Sequence, residues 1–130
     1  FMAPELFVAS DERPYDAAGV DVWACGVVLL EMLCGLNQLN RMLGRSRSPS
    51  VNPEEFVELK RFFNDGPGIK PALKEHLGDA DVALVELFDG MLQVDPTARW
   101  TAQRVLESTW LARRRPFPVT QNSPGSATLS

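Results

Sequence analysis

Histidine occurs once in these 130 residues, tyrosine once and cysteine twice, so clustered imidazoles or thiolates are not available to build a site. A structural zinc site takes four such ligands and a disulfide framework takes several cysteine pairs, and neither is expected. Cys25 and Cys34 fall in one apolar stretch, about 13 Å apart along a helix axis and about half a turn out of phase. A disulfide requires Cα atoms within about 7 Å, so the pair reads as two small buried apolar side chains. His76 stands alone in a helical stretch and reads as a solvated residue rather than a catalytic base. Positive charge is also short: 13 Lys and Arg against 17 Asp and Glu leave a net charge of −4, which argues against nucleic acid as the main partner. No Asn-x-Ser/Thr acceptor occurs, and the first residues carry acids where a secretory leader would be basic. The expected compartment is cytoplasmic or nuclear. The longest apolar run, Gly19 to Leu33, is about 22 Å as a helix and is interrupted by Asp21 and Glu31, so no membrane span is expected. Period-two alternation is missing throughout, and the fold is read as all-α.

What is present is 45% hydrophobic and 23% charged, ordinary for one soluble domain. The run from Gly19 is apolar on nearly every side and is predicted to be a buried central helix over 19–34, closed by Gly35. Asn52-Pro53-Glu54-Glu55 is a helix start, with Asn as cap and Pro in the first turn. The helix it opens is expected over 53–64, with Phe56, Leu59, Phe62 and Phe63 on one face and Asn64-Asp65-Gly66 as its stop. A weaker helical stretch follows over 71–77. Another helix is expected over 80–92, capped by Asp79 or Asp81, with Val82, Val85, Phe88, Met91 and Leu92 inward. The last is expected over 101–107, with Val105 and Leu106 inward and Trp110 and Leu111 sealing its end. Residues 41–51 read as a flexible basic insert and 113–130 as a disordered tail.

Three motifs lie along this frame. Phe1-Met2-Ala3-Pro4-Glu5 comes first, Asp21-Val22-Trp23-Ala24-Cys25-Gly26-Val27 opens the apolar helix, and Asp95-Pro96-Thr97-Ala98-Arg99 follows a hydrophobic helix, with Ser108-Thr109-Trp110 beyond it. In order, spacing and helical context they resemble the C-terminal part of a protein kinase catalytic domain, from the Ala-Pro-Glu motif onward, over residues 1–112. Tyr15-Asp16 and the Cys-Gly-Val-Val-Leu run look most like calcium/calmodulin-dependent kinases and the plant sucrose-non-fermenting-related kinases. The chain departs from the pattern in having Phe1 for the usual Tyr or Trp, no Pro-Phe after the central helix, and Ser108-Thr109 for His-Pro.

The resemblance implies roles for individual residues. Ala3, Pro4, Glu5, Asp21, Trp23, Gly26, Asp95, Pro96, Arg99 and Trp110 fall on the family's structural motifs. Glu5 and Arg99 are expected to form a buried ion pair, whereas composition alone would make them surface charges. Asp21 matches an Asp that holds the catalytic loop; that loop does not occur in this sequence, so Asp21 is expected to turn toward its own helix end or water. Phe1 and Met2 match the loop that contacts substrate, and the helix from Pro53 matches one that docks substrates and regulators. The whole protein is expected to be a serine/threonine kinase using ATP and magnesium. Kinase chemistry requires a Gly-rich loop, a strand lysine, a catalytic-loop Asp and Asn, and an Asp-Phe-Gly aspartate, none of which is found here. No catalytic, cofactor or metal residue is therefore assigned, and the chain alone is not expected to be catalytic. A pseudokinase-type scaffold or a helical protein-interaction module is the alternative. Arg45-Ser46-Arg47-Ser48-Pro49 makes Ser46 and Ser48 candidate phosphosites. A central helix without the segments that should cover it predicts an exposed apolar patch and self-association.

Overall fold

The computed structural model describes residues 2–8, 14–44, 53–79 and 81–113. Phe1, the Asn52 cap, the candidate phosphosites Ser46 and Ser48, residues 45–51 of the insert and residues 114–130 of the tail lie outside the described residues. After a 3-10 turn at Pro4–Phe7 come α1 (Ala17–Cys34), α2 (Gln38–Met42), α3 (Pro53–Lys60), α4 (Lys70–Leu77), α5 (Val82–Met91), α6 (Ala102–Leu106) and α7 (Thr109–Ala112). No strand occurs among the described residues.

Helix α1 is the axis. It starts two residues earlier than the apolar run because Asp16 caps it, accepting the Ala18 N–H at 3.1 Å. Its inner face (Trp23, Val27, Leu30 and Cys34) packs with Leu73 of α4 and Ile69 just before it, and with Leu84 and Phe88 of α5 and Leu92 just after it. Gly26 lets α1 and α5 approach: a Cβ there would lie 2.9 Å from Leu92 Cδ2 and 3.1 Å from Met91 Cβ. Beyond this crossing Val22, Leu87 and Met91 form a second apolar cluster against Trp100, Val105 and Trp110.

Several expectations are corrected. Arg41 and Met42, assigned to the insert, end helix α2, whose entry residue Asn37 takes a left-handed φ of 57° and donates its N–H to Glu31 Oε1 at 2.9 Å. The helix from Pro53 does not run as one α-helix to residue 64, because Arg61–Asp65 widens into a π-helical turn. Helix α5 begins at Val82, with Asp81 as the cap that accepts the Ala83 N–H at 2.9 Å, and its buried face is Ala83, Leu84, Leu87, Phe88, Gly90 and Met91. Val82 is 72% exposed and Leu106 53% exposed, so neither points inward. Trp110 and Leu111 belong to a separate helix, α7, capped by Ser108. Cys34 is buried, but Cys25 is exposed.

That last correction belongs to a wider one: α1 is not covered on every side. Asp21, Cys25, Val28 and Met32, spaced four, three and four residues apart, form one solvent-facing stripe, with Met32 77% exposed. By length and hydropathy α1 is long and apolar enough to cross a membrane, but here its opposite face forms the core of a helical bundle.

Candidate functional site

The described structure gathers the first and last motifs around one side chain. Helix α5 stops at Met91, and Asp95 organises the turn around Pro96 that follows: its carboxylate accepts the Thr97 N–H at 2.9 Å and the Thr97 hydroxyl at 2.7 Å. Its carbonyl accepts the N–H groups of Ala98 and Arg99, both at 3.1 Å. The Thr97 hydroxyl and N–H hold the Asp95 carboxyl below the ordinary carboxylate range, with the Ala98 N–H and the Arg99 charge adding to them and slight burial opposing. This turn delivers Arg99 into the interior, where its side chain is 0% exposed.

A buried guanidinium must place five N–H donors, and here every one has an acceptor. Nη1 donates to Glu5 Oε1 at 2.6 Å and to the Gly19 carbonyl at 2.8 Å. Nη2 donates to Glu5 Oε2 at 2.8 Å and to the Gln93 carbonyl at 2.9 Å, and Nε donates to the same carbonyl at 3.0 Å. The pair with Glu5 is bidentate, joins residues 94 apart in sequence, and leaves the Glu5 side chain 11% exposed. The guanidinium carbon also lies 5.4 Å from the centroid of the Trp23 ring, placing a cation over an indole face. Arg99 thus joins the Ala-Pro-Glu turn, the start of α1 and the end of α5.

The remaining motif residues surround this clamp. Ala3 and Pro4 are buried beneath it, and the Pro4–Phe7 turn packs on α3. Trp23 is 0% exposed; its ring meets Phe63 edge to face at 5.5 Å, and its Nε1–H has no hydrogen-bond acceptor among the described residues. Gly26 holds the α1–α5 crossing, and Trp110, half-buried, bridges the two apolar clusters. Met2 is half-buried beside the clamp sequence. Asp21 is exposed on the α1 stripe, with no hydrogen bond or ion pair among the described residues. His76 is exposed on α4.

The two carbonyl acceptors, from Gly19 and Gln93, were not identified from sequence, because a backbone carbonyl leaves no residue-type signal. Gly90 was missed as well: its carbonyl accepts the Trp100 N–H at 2.9 Å, and the Trp100 ring covers it so closely that a Cβ would fall 2.1 Å from Trp100 Cδ2. A glycine inside an apolar helix was the available clue. The arrangement is a structural clamp. No group of three or more His, Cys, Asp or Glu side chains that would hold a metal ion occurs among the described residues.

Known proteins share this framework. Residues 1–111 match the protein kinase domain family. Over 118 residues the chain is 31% identical to ribosomal protein S6 kinase alpha-6 of Mus musculus, an alignment covering 91% of this chain and 14% of that protein. It is 32% identical over 121 residues to ribosomal protein S6 kinase 2 alpha of Xenopus laevis, covering 93% of this chain and 14% of that protein. To CBL-interacting protein kinase 25 of Oryza sativa subsp. japonica it is 31% identical over 121 residues, covering 87% and 18%. The chain therefore spans between 14% and 18% of the length of these relatives. No solved structure matches it. With the Ala-Pro-Glu turn clamped to the Asp-Pro-x-x-Arg turn across a shared central helix, and with this match over residues 1–111, the chain belongs to the protein kinase domain family and carries the C-terminal part of that domain.

Proposed function

We propose that this chain is the C-terminal part of the catalytic domain of a serine/threonine protein kinase. The whole protein transfers the γ-phosphoryl group of ATP, with magnesium, to serine or threonine hydroxyls of protein substrates in the cytoplasm or nucleus. The 130 residues alone bind no nucleotide and transfer no phosphoryl group, because the Gly-rich loop, strand lysine, catalytic Asp and Asn, and magnesium-binding Asp required for that chemistry do not occur in them. The observation that carries the reading is the Arg99 clamp, which fixes the Ala3-Pro4-Glu5 turn against the helical core; in this reading Phe1 and Met2, just ahead of that turn, belong to the loop that faces substrate. Helix α3, packed on the same turn, offers an outer surface for substrates or regulators. The uncovered α1 stripe, with Asp21 at one end unpartnered among the described residues, is where the catalytic-loop segment of the whole protein rests in this reading.

The coding sequence ahead of Phe1 and a phosphotransfer assay test the proposal together. The full-length protein should encode His-Arg-Asp and Asp-Phe-Gly and label a serine peptide from radioactive ATP, while the 130-residue chain labels nothing. A full-length protein lacking the Asp-Phe-Gly aspartate and any labelling activity would replace the kinase reading with a scaffold. Labelling by the 130-residue chain itself would overturn the assignment of an inactive part.

A further inference from the structure

Helix α5 keeps one face out of the bundle. Its buried arc runs through Ala83, Leu84, Leu87, Phe88, Gly90 and Met91, which leaves Val82, Glu86 and Asp89, four and three residues apart, on the opposite side in solvent. Val82 opens this face and is 72% exposed. The Glu86 carboxylate has no hydrogen bond or ion pair among the described residues. Asp79, two residues ahead of the Asp81 cap, is exposed and unpaired in the same sense. At the far end Asp89 lines a hollow together with Lys70, so its charge already faces a cation. The unanswered acids therefore gather at the N-terminal end of α5, on either side of Asp81.

One contact already joins that end to the last described residue. Arg113, directly after α7, places Nη1 3.3 Å from Asp81 Oδ2 and 3.4 Å from Asp81 Oδ1. The sequence continues Arg114-Arg115-Pro116-Phe117-Pro118, two further cations followed by two prolines. A residue before proline is biased away from the helical region, so Arg115 and Phe117 are expected to be extended rather than to prolong α7. In an extended chain Arg113 and Arg115 point to the same side, about 6–7 Å apart. Asp81 and Glu86 are five residues apart, about 7–8 Å along the helix axis. The two spacings match. We propose that residues 114–116 of the C-terminal tail carry the Arg113–Asp81 contact onward as a strap along the outer face of α5. Arg115 pairs with Glu86 and lays its aliphatic stem over Val82, while Arg114 turns toward Asp79. The prolines limit the conformations the tail gives up, which lowers the cost of docking. A protein that binds this face of α5 must first displace the strap. Only residues of this chain take part, so the inference stands whether or not the whole protein transfers phosphoryl groups.

The test is 15N relaxation on the whole 130-residue chain. Order parameters of Arg114 and Arg115 should lie above about 0.6 in about 20 mM salt and fall below it in about 0.5 M salt, where exposed pairs are screened. Arg114→Glu with Arg115→Glu should lower them in the same way and shift the Val82 and Glu86 amides. Glu86→Arg alone should release the tail too, and adding Arg115→Glu to it should restore order at residue 115. Glu86 is exposed, so the core amides of Trp23 and Leu30 should stay unmoved in every variant. The proposal fails if the unmodified tail has order parameters below about 0.6 in low salt, if the charge reversals leave the Val82 and Glu86 amides in place, or if the paired reversal restores nothing. An ordered tail over unmoved α5 amides would make residues 114 and 115 a further turn of α7, and shifts that grow with protein concentration would put the tail of a second copy on this face. Either result overturns the assignment.

Discussion

Arg99 shows why arginine and not merely a positive charge is required. Lysine would bring three donors on a point charge, whereas the site offers two carboxylate oxygens and two carbonyls arranged around a planar fork. Arg99→Lys is expected to destabilise the chain, and Arg99→Ala more so, by about 3–5 kcal/mol, since Glu5 is left buried without its partner. Urea denaturation followed by circular dichroism measures both. Asp95 contributes in a pH-dependent way. Its carboxyl is held below its usual range in the folded chain, so the stabilisation is present above the unfolded value and is lost as pH falls through the lower folded value. Thr97→Val removes the leading cause, and the Asp95 titration followed by carboxyl-carbon NMR should move upward. The cysteines also divide by environment: burial pushes the Cys34 thiol up, whereas Cys25 stands on the exposed stripe. Iodoacetamide at neutral pH should alkylate Cys25 and leave Cys34 intact until the chain unfolds, as mass spectrometry of the digested protein would show. At this scale much of the clamp was legible. Glu5 and Arg99 announced themselves through the motifs around them, while the Gly19 and Gln93 carbonyls carried no side-chain signature.

Among the elements, periodicity located the helices better than it oriented them. In α5 the pattern of large apolar residues pointed to Val82, yet the buried arc turns on Ala83 and Gly90. Small residues mark where elements come closest, and a count of hydrophobic side chains gives them no weight. Gly90→Ala tests this directly: the added methyl would enter the Trp100 ring, and displacing the indole should cost about 1–3 kcal/mol, with a matching fall in the melting temperature. If Trp100→Ala in the same chain removes most of that penalty, the contact is its cause. Near α3 the sequence marked the start through Pro53 and the stop through Gly66, but not the π-helical turn between them. That turn sets the Phe63 ring edge to face against Trp23, a result of packing that is not encoded in the local pattern.

For the whole molecule, the all-α architecture was legible because apolar helices, glycine stops and aspartate caps all point the same way. How completely α1 would be covered was not, since a helix apolar on every side predicts burial without specifying by what. Its stripe of Cys25, Val28 and Met32 should make the chain self-associate, and Val28→Glu with Met32→Glu should suppress association in sedimentation velocity while changing stability by less than about 0.5 kcal/mol for each site. One buried bidentate pair joins residues 94 apart in sequence and is expected to close this part of a kinase domain into a single cooperative unit. A double-mutant cycle on Glu5→Gln and Arg99→Leu, read by urea denaturation, tests it most directly. Each single change should cost about 3–5 kcal/mol and the double change no more than the larger single one; two small, additive losses would mean that the pair does not hold the two ends of the chain together.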